Sequence, residues 1–186
     1  MMRAVLSFRC YAPPMLWLRG LIFTVFVPGI VGGWLPWTIG GGHPRGGPWM
    51  LGWLVVAAGA AIYAMCLMRF LAGGGTPMIW FMWPVRAIFG EEPPKLVMSG
   101  IYERSRNPMY LGVLTAIFGQ AIVFGSWRVA EYGLIAAVMF HVVVIAIEEP
   151  HLRAKQGAAY DEYCRRVPRW FGRRRTDAKA NSTSAV

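Results

Sequence analysis

The chain has 186 residues, 56% of them hydrophobic, with a mean hydropathy of +0.42 and a formal net charge of +10. That is more apolar than a soluble core requires, and nine Trp and 22 Gly agree, since Trp favours membrane interfaces and small residues favour helix packing in lipid. The basic residues cluster outside the apolar runs, so the expected partner is an anionic membrane surface and not nucleic acid; Cys10, Cys66 and Cys164 offer no CxxC pair, no disulfide framework and no metal-ligand spacing.

Four apolar runs follow one another, Leu16 to Ile39, Trp49 to Leu71, Pro108 to Trp127 and Val129 to Ile147. Each is close to the ~20 residues a spanning helix needs. The first follows Arg3 and Arg9 like a signal peptide, but it is too long and lacks a small-x-small cleavage site, so a retained helix is expected. Pro28 and Pro36 should kink it. Its Gly29, Gly32 and Gly33 and the second run's Ala57, Ala58, Gly59, Ala60 and Ala61 form two small-residue surfaces, expected to pack together.

Between the second and third runs, residues 78–89 (MIWFMWPVRAIF) are apolar but too short to span and are broken by Pro84. They read as a re-entrant or interfacial segment, a Trp-rich anchor or a lid over a site. After Pro150 a last helix is expected. Leu152, Ala159, Tyr160, Tyr163 and Val167 fall near one face, while Arg153, Lys155, Arg165 and Arg166 lie largely elsewhere. Such a helix suits an anionic leaflet, at roughly 1 kcal/mol per basic residue near the surface. The fold class is therefore an all-α membrane protein of about four transmembrane helices, with a re-entrant or interfacial segment and a C-terminal amphipathic helix. Residues 1–175 form one expected domain, 73–170 carry its motifs, and the polar tail 176–186 should be disordered and ends in no prenylation box.

Seventeen Lys and Arg residues fall on the side of the termini and the 72–107 loop, and two, Arg45 and Arg128, on the other. The positive-inside rule then places both termini in the cytoplasm. On that side stands RSRNPMYLG, residues 104–112. Asn107 suits an N-cap and Pro108 a first helical residue, so the third helix starts there with its positive dipole end beside Arg104 and Arg106, which suits an anion. The fourth helix returns to the same end and brings Glu148 and Glu149 opposite that cap. A zwitterionic ligand would fit the pair; simple surface ion pairing on a well-capped helix would look the same.

RNPMYLG, followed about 35 residues later by EEP and then by Tyr-x-x-Tyr and Val-Pro, resembles the integral-membrane methyltransferases, which include the isoprenylcysteine carboxyl methyltransferases and the phospholipid methyltransferases. GGGTP at 73–77 and PPKLVMSGIYERSRNPMY at 93–110 look like bacterial members, which implies a bacterial inner membrane. The resemblance covers about residues 73–170 and implies S-adenosylmethionine as cofactor. It assigns cofactor binding to Arg106, Asn107, Pro108, Tyr110, Leu111 and Gly112, with Glu148 and Glu149 completing that site. It also implies a lipophilic or lipid-anchored acceptor entering from the bilayer, with Glu148, Glu149 or Arg153 expected to orient it and a glutamate expected to take the proton of an amine. Tyr160 and Tyr163 are expected to support the site. The acceptor stays open. Asn107 in place of His, together with EEP, is closer to the phospholipid type, whereas GAAYDEYCRRVPRW resembles the carboxyl methyltransferase tail, with Gln156 in place of its Phe.

His141 lies seven residues before Glu148, hence on one face of a regular helix, and an ionisable group inside a span is a functional candidate. Gln120 and Thr115 are its expected partners if it is structural. His43 and His151 are weaker candidates. Two other classes compete with an enzyme: a membrane scaffold whose charges only pair, and a transporter, disfavoured because His141 and Gln120 are nearly the only polar groups deep in the spans.

Overall fold

The computed structural model describes residues 14–44, 48–77, 84 and 86–171. The helices, in order, are α1 (Pro14–Phe26), α2 (Leu35–Gly40), α3 (Trp49–Ala72), α4 (Arg86–Phe89), α5 (Pro108–Phe124), α6 (Trp127–Val143), α7 (Glu149–Gln156) and α8 (Ala158–Arg166). No strand occurs among the described residues. Three continuous helical stretches are long and apolar enough to cross a membrane: Met15–Gly40, Trp49–Ala72 and Trp127–Gln156. The fourth expected span, α5, has 17 residues, the lower end of what a crossing takes.

The tightest packing joins α3 to α5, which run antiparallel with glycines facing in register. A Cβ on Gly59 would lie 2.6 Å from the Gly112 carbonyl oxygen, and one on Gly52 would lie 2.9 Å from that of Gly119. The backbones touch, as small residues permit where lipid gives helices no hydrophobic reason to associate. The second run's small face therefore packs on α5 and not, as expected, on the first helix. Helix α1 meets α3 elsewhere, through Gly20 against Leu71 and a 2.8 Å hydrogen bond between Thr24 and Tyr63. Of the first run's glycines, Gly32 packs on Val113 of α5.

Two π-helical turns interrupt long helices. The first, Ile30–Trp34, lies between Pro28 and Pro36 and links α1 to α2. Side chains satisfy carbonyls there: Gln120 Nε2 donates to Gly32 at 2.6 Å and the Tyr132 hydroxyl to Val31 at 2.8 Å. Gln120 is thus the partner of a widened turn, not of His141, and Thr115 donates to Leu111 one turn back. The second, Val144–Glu148, joins α6 to α7, with the Glu149 N–H reaching Val144. Its wider spacing falls just where the ring of Pro150 would press on the carbonyl of Ala146 in a regular helix. Hence Pro150 starts no separate helix; the chain stays helical to Gln156. The break comes at Gly157, whose φ of 54° and ψ of −131° suit glycine, before α8.

The α3–α5 connection folds back on itself. The Thr76 hydroxyl donates to the Phe89 carbonyl at 2.7 Å and its N–H to the Glu91 carbonyl at 2.7 Å, while Phe89 packs edge-on against Phe23 of α1. Thr76 and Phe89, described residues on either side of 78–83 and 85, therefore lie side by side. Residues 78–83 and 85 of the expected 78–89 segment lie outside the described residues, as do Arg45 and the 176–186 tail.

Candidate functional site

At the end of the bundle formed by the start of α5, the second π turn, α7 and α8, an ion-pair cluster is buried. Arg106 Nη1 donates to Glu149 Oε1 (3.0 Å), to the Tyr160 hydroxyl (3.3 Å) and to Cys164 Sγ (2.8 Å). Arg169 binds the same carboxylate through both oxygens, Nε to Oε1 at 2.6 Å and Nη2 to Oε2 at 2.9 Å. Residues 168 and 169 strap this cluster onto the head of α5, because their carbonyls accept from the Arg106 N–H (3.0 Å) and Asn107 Nδ2 (3.1 Å). Asn107 holds the N-cap position without capping: its side chain is committed to that strap.

Beside the cluster lies a cavity of about 340 Å³, the size of a small-molecule site. Its walls are mostly apolar: Phe23, Val27 and Val31 from the first span, Met139, Phe140 and Val143 from α6. Its polar end gathers Arg106, Asn107, Tyr110, Glu148, His151 and Glu92. The Tyr110 hydroxyl donates to Glu148 Oε1, and the Tyr110 ring stands 4.7 Å from that of Phe140. Glu92 Oε1 reaches across from the loop to α7, where it meets His151 Nε2 at 2.7 Å and Lys155 Nζ at 2.8 Å. Burial alone would raise the Glu92 carboxyl, but the hydrogen bonds from Lys155 and His151 outweigh it and hold the group below the usual carboxylate range. Burial raises the phenols of Tyr160 and Tyr163, which stay protonated; Tyr163 donates to the Tyr102 carbonyl at 2.7 Å. Among the described residues one buried side-chain donor is orphaned: Arg106 Nε has no acceptor there.

The site residues named from the sequence take up five different placements. Arg106, Asn107, Tyr110, Glu148, Tyr160 and Tyr163 come together around the cavity. Glu149 sits behind it, saturated by two arginines. Pro108 is buried at the head of α5, Leu111 gives its carbonyl to Thr115, and Gly112 faces α3, so these three build the helix that carries the site. Arg153 lies apart on the surface, paired with Asp161 at 2.8 Å. His141 does not share a cavity-facing surface with Glu148. The π turn between them adds about a residue, roughly 100° of rotation, and His141 is exposed, accepting a 2.9 Å bond from Trp170 Nε1 at its Nδ1. Arg169 and the Glu92–His151 contact escaped sequence reasoning. VPRW did place an arginine near the motif, but nothing in the spacing pairs residue 92 with residue 151.

A model of the phospholipid methyltransferase family matches residues 56–158. The chain is 29% identical over 92 residues to the nickel-cobalt-cadmium resistance protein NccN of Alcaligenes xylosoxydans xylosoxydans, which covers 50% of this chain and 43% of that protein. It is 26% identical over 108 residues to a phosphatidylethanolamine N-methyltransferase of Aspergillus terreus, which covers 51% of this chain and 11% of that protein. The chain thus spans less than half the length of either relative. No solved structure matches significantly.

Proposed function

This chain belongs to the phospholipid methyltransferase family, and from that premise we propose that it transfers a methyl group from S-adenosylmethionine to a lipophilic acceptor at the cytoplasmic face of the membrane, the favoured acceptor being an amino-headgroup lipid. The observation that carries the reading is the cavity, apolar along most of its wall and charged at one end, with a carboxylate and a guanidinium both facing it. The residues fit the cofactor on one point above all. Arg106 Nε is a buried donor without an acceptor, and an anionic group such as the cofactor's carboxylate would satisfy it.

When bound, S-adenosylmethionine would supply an electrophilic methyl on sulfur. The chain's own residues do the rest by placement and dryness. Arg106 is held in place through Nη1 by Glu149, Tyr160 and Cys164. Glu148, braced by Tyr110, keeps its second oxygen unengaged among the described residues and suits a cationic group. Val27, Val31, Met139 and Val143 exclude water and accept an acyl chain entering sideways between the first span and α6. Two carboxylates at the polar end, Glu148 and Glu92, favour an amine over a carboxylate acceptor. One relative, a phosphatidylethanolamine N-methyltransferase, supports the same choice.

The test is calorimetric titration of S-adenosylmethionine into the protein in nanodiscs, followed by labelled-methyl transfer to phosphatidylethanolamine or to a farnesylcysteine analogue. Binding, with transfer to the amine lipid, is expected. No binding would leave a membrane scaffold; transfer only to farnesylcysteine would reverse the acceptor. The cytoplasmic orientation predicts that cysteines at positions 43 and 171 label from opposite sides of the membrane.

A further inference from the structure

The Glu92–His151 pair is left over once Arg106, Tyr110 and Glu148 have their roles, and it lies in the same cavity. His151 is on α7, one turn beyond Glu148, and both face the cavity. Glu92 arrives from the loop between α4 and α5 and meets the imidazole Nε2 at 2.7 Å. A carboxylate bonded to one imidazole nitrogen fixes the ring and its tautomer: with Nε2–H donated to Glu92, the lone pair belongs to Nδ1.

We propose that His151, held by Glu92, is the group that takes the proton from an amine acceptor. This rests on the methyl-transfer reading above and deepens it. An amine bound as its ammonium ion has no lone pair to attack with, and must lose a proton first. An ordinary imidazole is a stronger base than an ordinary carboxylate, so a histidine suits the removal of an ammonium proton better than a glutamate does. Glu148 is further disqualified as the base by the Tyr110 hydroxyl on it, and keeps the task of holding the cation.

The balance closes within the site. The ammonium proton moves to Nδ1, giving an imidazolium whose Nε2–H stays on Glu92. The nitrogen lone pair then forms the N–C bond as the methyl carbon's bond to sulfur breaks, with that electron pair staying on sulfur. The charges around the imidazole oppose one another. Glu92 from the loop and Glu148 one turn back favour the imidazolium; Lys155 on the same Glu92 oxygen, Lys95 from the loop and Arg106 from the head of α5 oppose it, and the phenols of Tyr110 and Tyr160 are neutral.

The experiment compares wild type, His151→Gln and Glu92→Gln in nanodiscs with phosphatidylethanolamine, measuring kcat and KM from pH 6 to 10, and cofactor affinity by calorimetry. His151→Gln keeps a donor for Glu92 but has no basic nitrogen. Its kcat should fall about a hundredfold near neutrality, the order expected for a lost general base. It should recover toward wild type near pH 10, where the amine deprotonates unaided, with cofactor affinity unchanged. Glu92→Gln, which keeps the imidazole but removes the charge that favours the imidazolium, should move the rising limb of the profile to lower pH. A merely structural clasp would instead weaken cofactor binding or lower kcat equally at every pH. Either result, or an unchanged profile in both variants, overturns the assignment and leaves the methyltransferase reading standing. Wild-type protein that binds no cofactor, or that methylates only a carboxylate, overturns both.

Discussion

The most decisive perturbation removes the counter-ion of Arg106. The side chains of Arg106 and Glu149 are only 4% and 10% exposed, and their contact is 3.0 Å. Replacing Glu149 with Leu leaves the guanidinium buried with only neutral acceptors, the Tyr160 hydroxyl and the Cys164 sulfur, on Nη1 and none on Nε. Breaking one partner of such a pair costs about 3 to 5 kcal/mol, because an uncompensated buried charge remains. For a chain of this size each 1 kcal/mol moves Tm by about 2 to 4 °C, so a drop of about 6 to 20 °C is expected. Arg169 could blunt nothing here, since the same substitution strands it as well. Tryptophan fluorescence during a thermal ramp in detergent measures the shift. The double variant Arg106→Met with Glu149→Leu should regain most of it, since two apolar groups desolvate without penalty. A drop under about 2 °C in the single variant, or a double variant worse than the single, would refute the claim that this pair is a buried unit.

Gly59→Val should destabilise the bundle by about 1 to 3 kcal/mol, the usual cost of overpacking, because its Cβ meets backbone atoms of Ala116 and Gly112 at 2.6 Å that cannot rotate away; the same substitution at Gly33, with nothing within 4 Å, should be nearly silent in the same thermal ramp. Glu92 has a folded value below its unfolded one of about 4.3, so its contribution is present above that pH and is lost as pH falls through the lowered folded value. The Thr76 amide, which donates to the Glu91 carbonyl, should accordingly lose hydrogen-exchange protection, corrected for intrinsic rates, only below about pH 4, and Glu92→Gln should remove that pH dependence.

The helices were legible because lipid leaves little choice: an apolar run of ~20 residues bounded by basic loops has to be a helix. The second run, Trp49–Leu71, was placed to within a residue of α3 for that reason. What periodicity could not supply was the pairing of helices. Gly29, Gly32, Gly33 and the Ala57–Ala61 stretch both offer small surfaces, and sequence order suggested joining them. The deciding feature is a spacing of seven repeated in two helices, Gly52 with Gly59 and Gly112 with Gly119, which lets two antiparallel backbones meet at two levels. The π turns were equally hidden. Pro28 and Pro36 signal a disturbance, but whether a chain kinks or widens depends on whether a distant Gln120 or Tyr132 can satisfy the released carbonyls.

The candidate site was legible to the extent that its residues sit at helix ends, where position follows from sequence. Arg106 and Glu149 had to meet once two antiparallel spans returned to one face, and they do. Their meeting changes what each can do. Read as a line of residues, Glu148 and Glu149 are an equivalent pair; in space, two arginines saturate Glu149 while, among the described residues, Tyr110 is the one hydrogen-bond partner of Glu148, so neighbours in sequence divide into a clamp and a cavity wall. The division follows from helix geometry: adjacent residues point about 100° apart, and the π turn just before them sets which direction faces the cavity. His141 falls on the wrong side of that same turn, whereas His151, a turn beyond it, falls on the right side and meets a glutamate supplied by a loop nearly sixty residues away. A single inserted residue in one helix thus decides which histidine can share a cavity with Glu148, and a count of sevens along the sequence cannot see it.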